Sequence, residues 1–345
     1  MRRPCRRSKM WSGLPAGAGR PCGFDHPAVV TLREEILAEA SRLGFLACGV
    51  ASLDPSRFGD ALDTWLARGF GGTMRYLHRQ AKKRKNPALI VEGAVRAVVV
   101  LDSYLPRHSA DGAGRVPSAE RRVPRIAKYA RGRDYHLELG ERLGELSRFL
   151  IERGATVARA FADAGPVPER ELAARAGLGW IGKNTMLIRP GTGSFFFIGS
   201  VLTDLPLEVD RPFETDHCGT CTRCLDACPT DALVEPRTLD ATRCISYLTI
   251  EHKPDPDPEL ARQFQGWAFG CDICNDVCPW NERFAAATDR SAYQDRGDIP
   301  LDDPDFFERL DAAGFAARFA DTPLERPGLV RMRRNFATAY QSLEP

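Results

Sequence analysis

Eight of the eleven cysteines lie between positions 218 and 278, and their spacing limits what the chain can fold around. Cys218-x2-Cys221-x2-Cys224-x3-Cys228-Pro229 is the run by which bacterial iron–sulfur proteins hold four-iron clusters: three thiolates converge on one cube and the fourth crosses to another. Pro229 stops the chain from continuing helical hydrogen bonding past the fourth sulfur. A second run, Cys271-x2-Cys274-x3-Cys278-Pro279, lacks one cysteine of the first, and Cys244 is available to complete it. The expected ligand sets are therefore Cys218, Cys221, Cys224 and Cys278 for one [4Fe-4S] cluster, and Cys228, Cys244, Cys271 and Cys274 for the other. Four-cysteine zinc is the alternative that Cys-x2-Cys pairs leave open, but the triple run and both Cys-Pro endings favour iron. A disulfide framework suits a short secreted chain rather than one of 345 residues. Cys5, Cys22 and Cys48 are scattered and receive no role.

Two clusters need far fewer residues than this chain has, so the preceding 210 residues are expected to use the electrons. Residues 1–24 carry six Lys/Arg and no acid, and they read as a disordered basic extension. Their arginine pairs are not followed by the apolar stretch of roughly 7–15 residues that an export signal requires, which points to the cytoplasm. The longest nearly apolar run, Ser194 to Leu202, falls far short of a bilayer span, so no membrane helix is expected.

Leu32, Ile36, Ala40 and Leu43 share one helical face, with Gly44 as the stop. Phe45 to Leu53, Ala94 to Leu101 and Thr156 to Phe161 read as strands. Asp134 caps a long helix with Leu139, Leu143, Leu146 and Leu150 in register, ended by Gly154. Asn184–Ile188 and Phe195–Thr203 flank Arg-Pro-Gly-Thr-Gly-Ser and predict a hairpin. Without clean βαβ alternation, and without a Gly-x-Gly-x-x-Gly or a phosphate-cradling loop, the first 210 residues are assigned to an α+β class with a mixed sheet rather than to a nucleotide-binding doubly wound fold. The domains expected are 25–210 (α+β), 211–285 (a ferredoxin-like module with two clusters) and 286–345, a short helical tail with runs at Phe306–Phe319 and Leu329–Tyr340.

Residues 75–133 hold fifteen Lys/Arg against four Asp/Glu. Such a block attracts a polyanion, because phosphate binding is largely a matter of placed Lys and Arg. The candidates are Lys82, Lys83, Arg84, Lys85, Arg121, Arg122 and Arg125; a solvated basic face is the plainer alternative.

Phe161-Ala162-Asp163-Ala164-Gly165-Pro166-Val167-Pro168-Glu169-Arg170, then Ala176-Gly177-Leu178-Gly179-Trp180-Ile181-Gly182-Lys183-Asn184, together with Arg243-Cys244-Ile245-Ser246-Tyr247, Gly270-Cys271-Asp272-Ile273-Cys274 and Cys278-Pro279-Trp280-Asn281, closely resemble the epoxyqueuosine reductase family over roughly residues 30–285. The resemblance implies reduction of epoxyqueuosine to queuosine at the wobble position of tRNA, with cobalamin and two four-iron clusters as cofactors. It makes Asp163 the proton donor, and it places Asp163, Ser246 and Asp272 near the corrin. Lys183, Asn184 and the Asp134-Tyr135-His136 stretch match the family as well, though a plain loop and a capping aspartate explain them nearly as well. No Asp-x-His-x-x-Gly is present, so a histidine below cobalt is not expected. The expected partners are tRNA and a small electron donor such as flavodoxin or ferredoxin, with the protein a monomer. Arg326 to Tyr340 resembles the start of a helical-repeat tail found in longer relatives. Two rivals share parts of this pattern. A corrinoid reductive dehalogenase usually carries an export signal and needs no polyanion patch, and a plain electron carrier leaves Asp163 and the basic block without purpose.

Overall fold

In the computed structural model, which describes residues 31–107 and 123–344, a four-stranded sheet organises the first half of the chain. The extension 1–24, with Cys5 and Cys22, and the basic residues Arg121 and Arg122 lie outside the described residues. The strands are β1 (Ala47–Ser52), β2 (Arg96–Ser103), β3 (Ala158–Ala162) and β4 (Phe196–Thr203), in the order β1-β2-β4-β3 with every neighbour antiparallel. Around them lie α1 (Leu32–Arg42), α2 (Gly59–Ala67), α3 (Arg75–Lys85), α4 (Tyr135–Glu152) and α5 (Glu169–Arg175).

Side chains alternate across a strand, and both faces of β2 are covered. Ala97, Val99 and Leu101 pack with Leu172, Ala173 and Ala174 of α5. Val98 and Val100 face Ile36 and Ala40 of α1 and Leu139, Leu143, Leu146 and Leu150 of α4. A nearly unbroken apolar run usually marks a parallel strand; here helices on both sides of an antiparallel sheet impose it. Asp134 caps α4 by accepting from the His136 amide at 2.9 Å. Gly44 (φ 79°) and Gly154 (φ 98°) take the left-handed conformation that ends α1 and α4.

The predicted hairpin between Asn184–Ile188 and Phe195–Thr203 does not form. Leu187–Ile188 pairs instead with Trp180–Ile181, while β4 inserts between β2 and β3, where both its faces are buried. The run Phe306–Phe319 is likewise two helices, Phe306–Arg309 and Ala312–Phe319, because Asp311 leaves the first and caps the second through the Gly314 amide at 2.7 Å.

From Leu32 onward the chain forms one unit. Trp267–Phe269 of the cysteine segment pairs in parallel with Arg125–Ile126, and Ala287–Thr288 pairs in parallel with Leu105–Pro106. The tail closes a phenylalanine-rich core, Phe307, Phe315, Phe319 and Phe336, over Ala268 and Phe269. Among the described residues no helix is long and apolar enough to cross a membrane.

A buried ion pair joins the tail to the sheet. Arg142 of α4 donates to both oxygens of Asp102 on β2 and, at 3.0 Å, to the hydroxyl of Tyr293, which itself donates to Asp102 at 2.6 Å. Removing Asp102 leaves the buried Arg142 only the longer Glu138 pair at 3.5 Å, and breaking a buried pair costs up to about 3–5 kcal/mol. Asp102→Ala is therefore expected to lower the unfolding free energy by about that amount in urea titrations, while the double variant Asp102→Leu/Arg142→Met recovers most of the loss.

Candidate active site and cluster cavities

Two short helices, Arg223–Asp226 and Ile273–Asp276, each carry the central cysteine of one run, Cys224 and Cys274. Cys218, Cys221, Cys224 and Cys278 line one cavity of about 260 Å³, closed by Trp280, His217 and the Lys183-Asn184 turn. A cavity that four cysteines share suits a cube, whereas a point ion would hold each thiolate at about 2.3 Å from one centre. Among the described residues no three His, Cys, Asp or Glu side chains are close enough to share a single ion.

The other four cysteines converge as well. Burial pushes the Cys274 thiol well up, and the charges of Cys244 and Cys228 push it further. Cys271 is raised by burial first and then by Cys274 and Cys244. Sulfurs this close oppose each other's ionisation, so they are thiols unless cations lie among them, which is the donor set an iron–sulfur cube needs. The backbone of Tyr247 and Ser246 donates to the Cys244 sulfur, placing Ser246 at the start of the helix Ile245–Ile250.

The first half of the chain grips these loops. Trp180 Nε1 reaches Cys218 Sγ at 3.5 Å, and Trp180 packs edge-on to Trp280 and His217. Lys183 Nζ donates to the carbonyls of Gly219 and Cys221 at 2.7 and 2.9 Å. Asn184 donates to the Cys274 carbonyl at 3.3 Å, and the amide of Asn281 bonds the Ser194 hydroxyl and the Asn275 carbonyl at 2.8 Å each. Lys183 and Asn184 thus support the cluster loops.

Asp163 occupies the turn between β3 and α5 with φ 53°, a left-handed conformation that Asp and Asn tolerate best after glycine. Its carboxylate is 56% exposed. Tyr135 donates its hydroxyl to Oδ2 at 2.5 Å, and His136 Nε2 lies 3.7 Å from the same oxygen. His136 is held in turn by Asp134 through Nδ1 at 2.8 Å. The Asp163 amide donates to Glu169 Oε1 at 2.8 Å. Burial, and then the Asp163 charge, push the Glu169 carboxyl up to about 8. Asp163, Glu169, Arg84 and Arg170 share a cavity of about 320 Å³ with Phe58, Leu62 and Val167.

Asp272 is buried and already engaged: it accepts from the Lys128 amide at 2.7 Å and lies 3.7 Å from Lys128 Nζ, which binds Asp276 at 2.6 Å. Lys82 and Lys83 are exposed, and Lys85 pairs with Asp63 at 2.7 Å. Arg125 lies over the Trp267 ring. Arg84 turns away from solvent and donates to the Gly165 carbonyl at 3.0 Å, so it is part of the Asp163 cavity rather than a free phosphate contact. Sequence reasoning quoted Glu169 and Tyr135 only as parts of family-matching stretches, without a role, and missed the inward course of Arg84. The first lies within the Pro-Glu-Arg stretch that follows Asp163; nothing local marks the last.

The family model described as "4Fe-4S double cluster binding domain" matches residues 217–281, and that described as "Epoxyqueuosine reductase QueG, DUF1730" matches residues 84–164. An epoxyqueuosine reductase of Cyclobacterium marinum is 39% identical over 298 residues, covering 86% of this chain and 93% of the relative. A crystal structure of epoxyqueuosine reductase with an epoxyqueuosine-modified tRNA-Tyr stem loop superimposes with a TM-score of 0.77 at 30% identity, covering 89% of this chain and 80% of that one. The enzyme from Bacillus subtilis, solved with its catalytic aspartate loop swung out of the active site, gives a TM-score of 0.77 at 29% identity and the same coverage.

The raised Glu169 carboxyl makes a pH prediction. The folded chain holds this proton up to about pH 8, while the unfolded carboxyl releases it near its ordinary value of 4.5, so this residue's contribution to stability is lost as pH rises across that interval. Glu169→Gln keeps the acceptor for the Asp163 amide and removes the titration. Its unfolding free energy relative to the parent is expected to rise by about 1–2 kcal/mol between acidic and mildly alkaline urea titrations, the carboxyl being only half-buried.

Proposed function

The chain belongs to the epoxyqueuosine reductase family, and from that premise we propose that it reduces epoxyqueuosine to queuosine at the wobble position of tRNA in the cytoplasm, acting as a monomer. Opening the epoxide to an alkene and water consumes two electrons and two protons. The electrons pass through two four-iron clusters, one on Cys218, Cys221, Cys224 and Cys278 and the other on Cys228, Cys244, Cys271 and Cys274. They come from a small donor protein such as flavodoxin or ferredoxin. We assign the chemistry to residues 25–210, electron supply to 211–285 and a supporting role to the tail, 286–345.

The observation that carries this reading is the Asp163 carboxylate, held in a left-handed turn at the wall of a cavity beside a second carboxyl that keeps its proton. Asp163 delivers protons to the departing oxygen. Tyr135 and His136 fix the direction of its carboxylate, and the neutral Glu169 keeps a second negative charge from opposing the developing oxyanion.

Cobalamin is the group that the resemblance implies. Gln80 Oε1 and Arg84 Nε, one turn apart on α3, are buried without a protein partner, an acceptor and a donor that the amide-bearing rim of a corrin matches. When bound, the cofactor supplies a strongly reducing metal nucleophile. Asp163 and Ser246 are assigned to its surroundings, with Asp272 orienting the backbone beneath.

For the nucleic acid, Lys82, Lys83 and Lys85 on α3, with Arg121, Arg122 and Arg125, are assigned to the phosphate backbone, which positions the stem while the wobble base leaves the stack.

The direct test is mass spectrometry of tRNA from cells lacking this protein: epoxyqueuosine accumulates if the reading holds, and unchanged queuosine overturns it. Asp163→Asn, which tolerates the same backbone conformation, is expected to keep full iron content and lose at least about 100-fold in turnover. Lys82→Glu/Lys83→Glu is expected to weaken stem-loop binding and reduce the slope of log affinity against log salt by about 1 to 2.

A further inference from the structure

Helix α3 has two unlike faces. Arg75, Arg79, Lys82 and Lys83 are exposed, and none forms an ion pair with a described residue. Tyr76, Gln80 and Arg84, spaced four apart, are half-buried, with Lys82 on the opposite side of the helix from Arg84 and Lys83 between the two. The inner face ends on the Asp163 turn: Arg84 Nη2 donates to the Gly165 carbonyl at 3.0 Å, two residues past the aspartate. Gly165 itself has φ 132°, a backbone conformation that residues with a Cβ rarely adopt. The turn's other ties come from the Tyr135 hydroxyl and from Glu169, which accepts the Asp163 amide. Arg84 is the tie that comes from the helix bearing the unpaired cations.

We propose that Arg84 is a positioning residue that clamps the Asp163 turn to α3, so that a phosphate backbone engaged by Lys82 and Lys83 on the outer face fixes the proton donor on the inner face. The inference rests on the reading of that outer face as the RNA contact. Burial lowers the Arg84 pKa, with Tyr76, Glu169 and Asp163 acting against that shift, and Arg84 lines the same cavity as the two carboxyl groups. Neutralising it removes a hydrogen bond to a backbone carbonyl and a charge facing both acids. The turn then keeps its Tyr135 and Glu169 ties and loses its link to the helix.

The experiment compares the full chain, loaded with clusters and saturated with cobalamin, with Arg84→Gln and Arg84→Lys loaded in the same way on three readouts: the dissociation constant of an epoxyqueuosine stem loop, turnover at saturating RNA, and hydrogen exchange of the Asp163–Gly165 amides with and without RNA. Arg84→Gln is expected to lower kcat by about 10- to 100-fold, as a misplaced catalytic group does, with the dissociation constant within about threefold. It also abolishes the slowing of exchange that RNA causes in the parent. Arg84→Lys, which keeps a charged donor, recovers part of both. Unchanged kcat, or affinity falling in step with kcat, overturns the proposal, the latter making Arg84 a simple phosphate contact. If Arg84→Gln loses its clusters, Arg84→Lys decides: reduced kcat and weakened RNA-dependent protection at unchanged affinity support the clamp, and any other result overturns it. Lys82→Glu/Lys83→Glu separates the two claims. Unaltered RNA affinity in that variant removes the outer-face reading, while a lower kcat and faster exchange in Arg84→Gln without RNA still report the clamp itself.

Discussion

Sulfur crowding is the constraint from which the rest of the architecture follows. Cys244, Cys271 and Cys274 are buried among one another, and each opposes the ionisation of its neighbours. Without metal these sulfurs keep their protons, so binding of iron and loss of the thiol protons are one event. Apart from the cluster of Ile245, Tyr247, Leu248, Phe264 and Trp267, the cysteine loops hold few buried apolar side chains. They borrow order from the first half through the Trp180–Trp280 contact, the Lys183 ammonium and the buried Asn184, Asn275, Asn281 and Ser194 network. The two parallel ladders and the Asp102–Arg142–Tyr293 cluster extend the same grip into the tail. The cysteine loops and the Asp163 turn are thereby held in one compact unit.

The proton side has a different logic. An exposed aspartate in a left-handed turn is held by contacts rather than by packing, and each comes from a different part of the chain: Tyr135 from α4, Glu169 from α5 and Arg84 from α3. Such a group reports on the position of every element that touches it. A second carboxyl beside it, Glu169, is raised by burial and then by the Asp163 charge.

The sequence made the local features legible, because they depend on periodicity and caps. The Ala-Val run that becomes β2, the Asp134 cap of α4 and the glycine stops are all written in adjacent residues. The α+β class follows from them. The cysteine spacing also led to the expectation that Cys278 crosses to the first run, and Cys278 lines one cavity with Cys218, Cys221 and Cys224. What stayed hidden is non-local. The hairpin expectation failed because Leu187–Ile188 found Trp180–Ile181 and β4 was needed between two strands that cover both its faces. Asp272 meets Lys128 across 144 positions, and Tyr293 meets Asp102 across 191. No local pattern marks such pairs. Arg84 looked like its neighbours in a basic run, and only the helix phase relative to the Asp163 turn separates it from Lys82 and Lys83.

Everything in this account requires that the sulfur cavities hold iron–sulfur cubes. Metal and acid-labile sulfide analysis of the full chain, purified without oxygen, measures this directly. Two filled sites give about eight iron and about eight sulfide per chain with no zinc. Stoichiometric zinc, or iron without sulfide, contradicts the account.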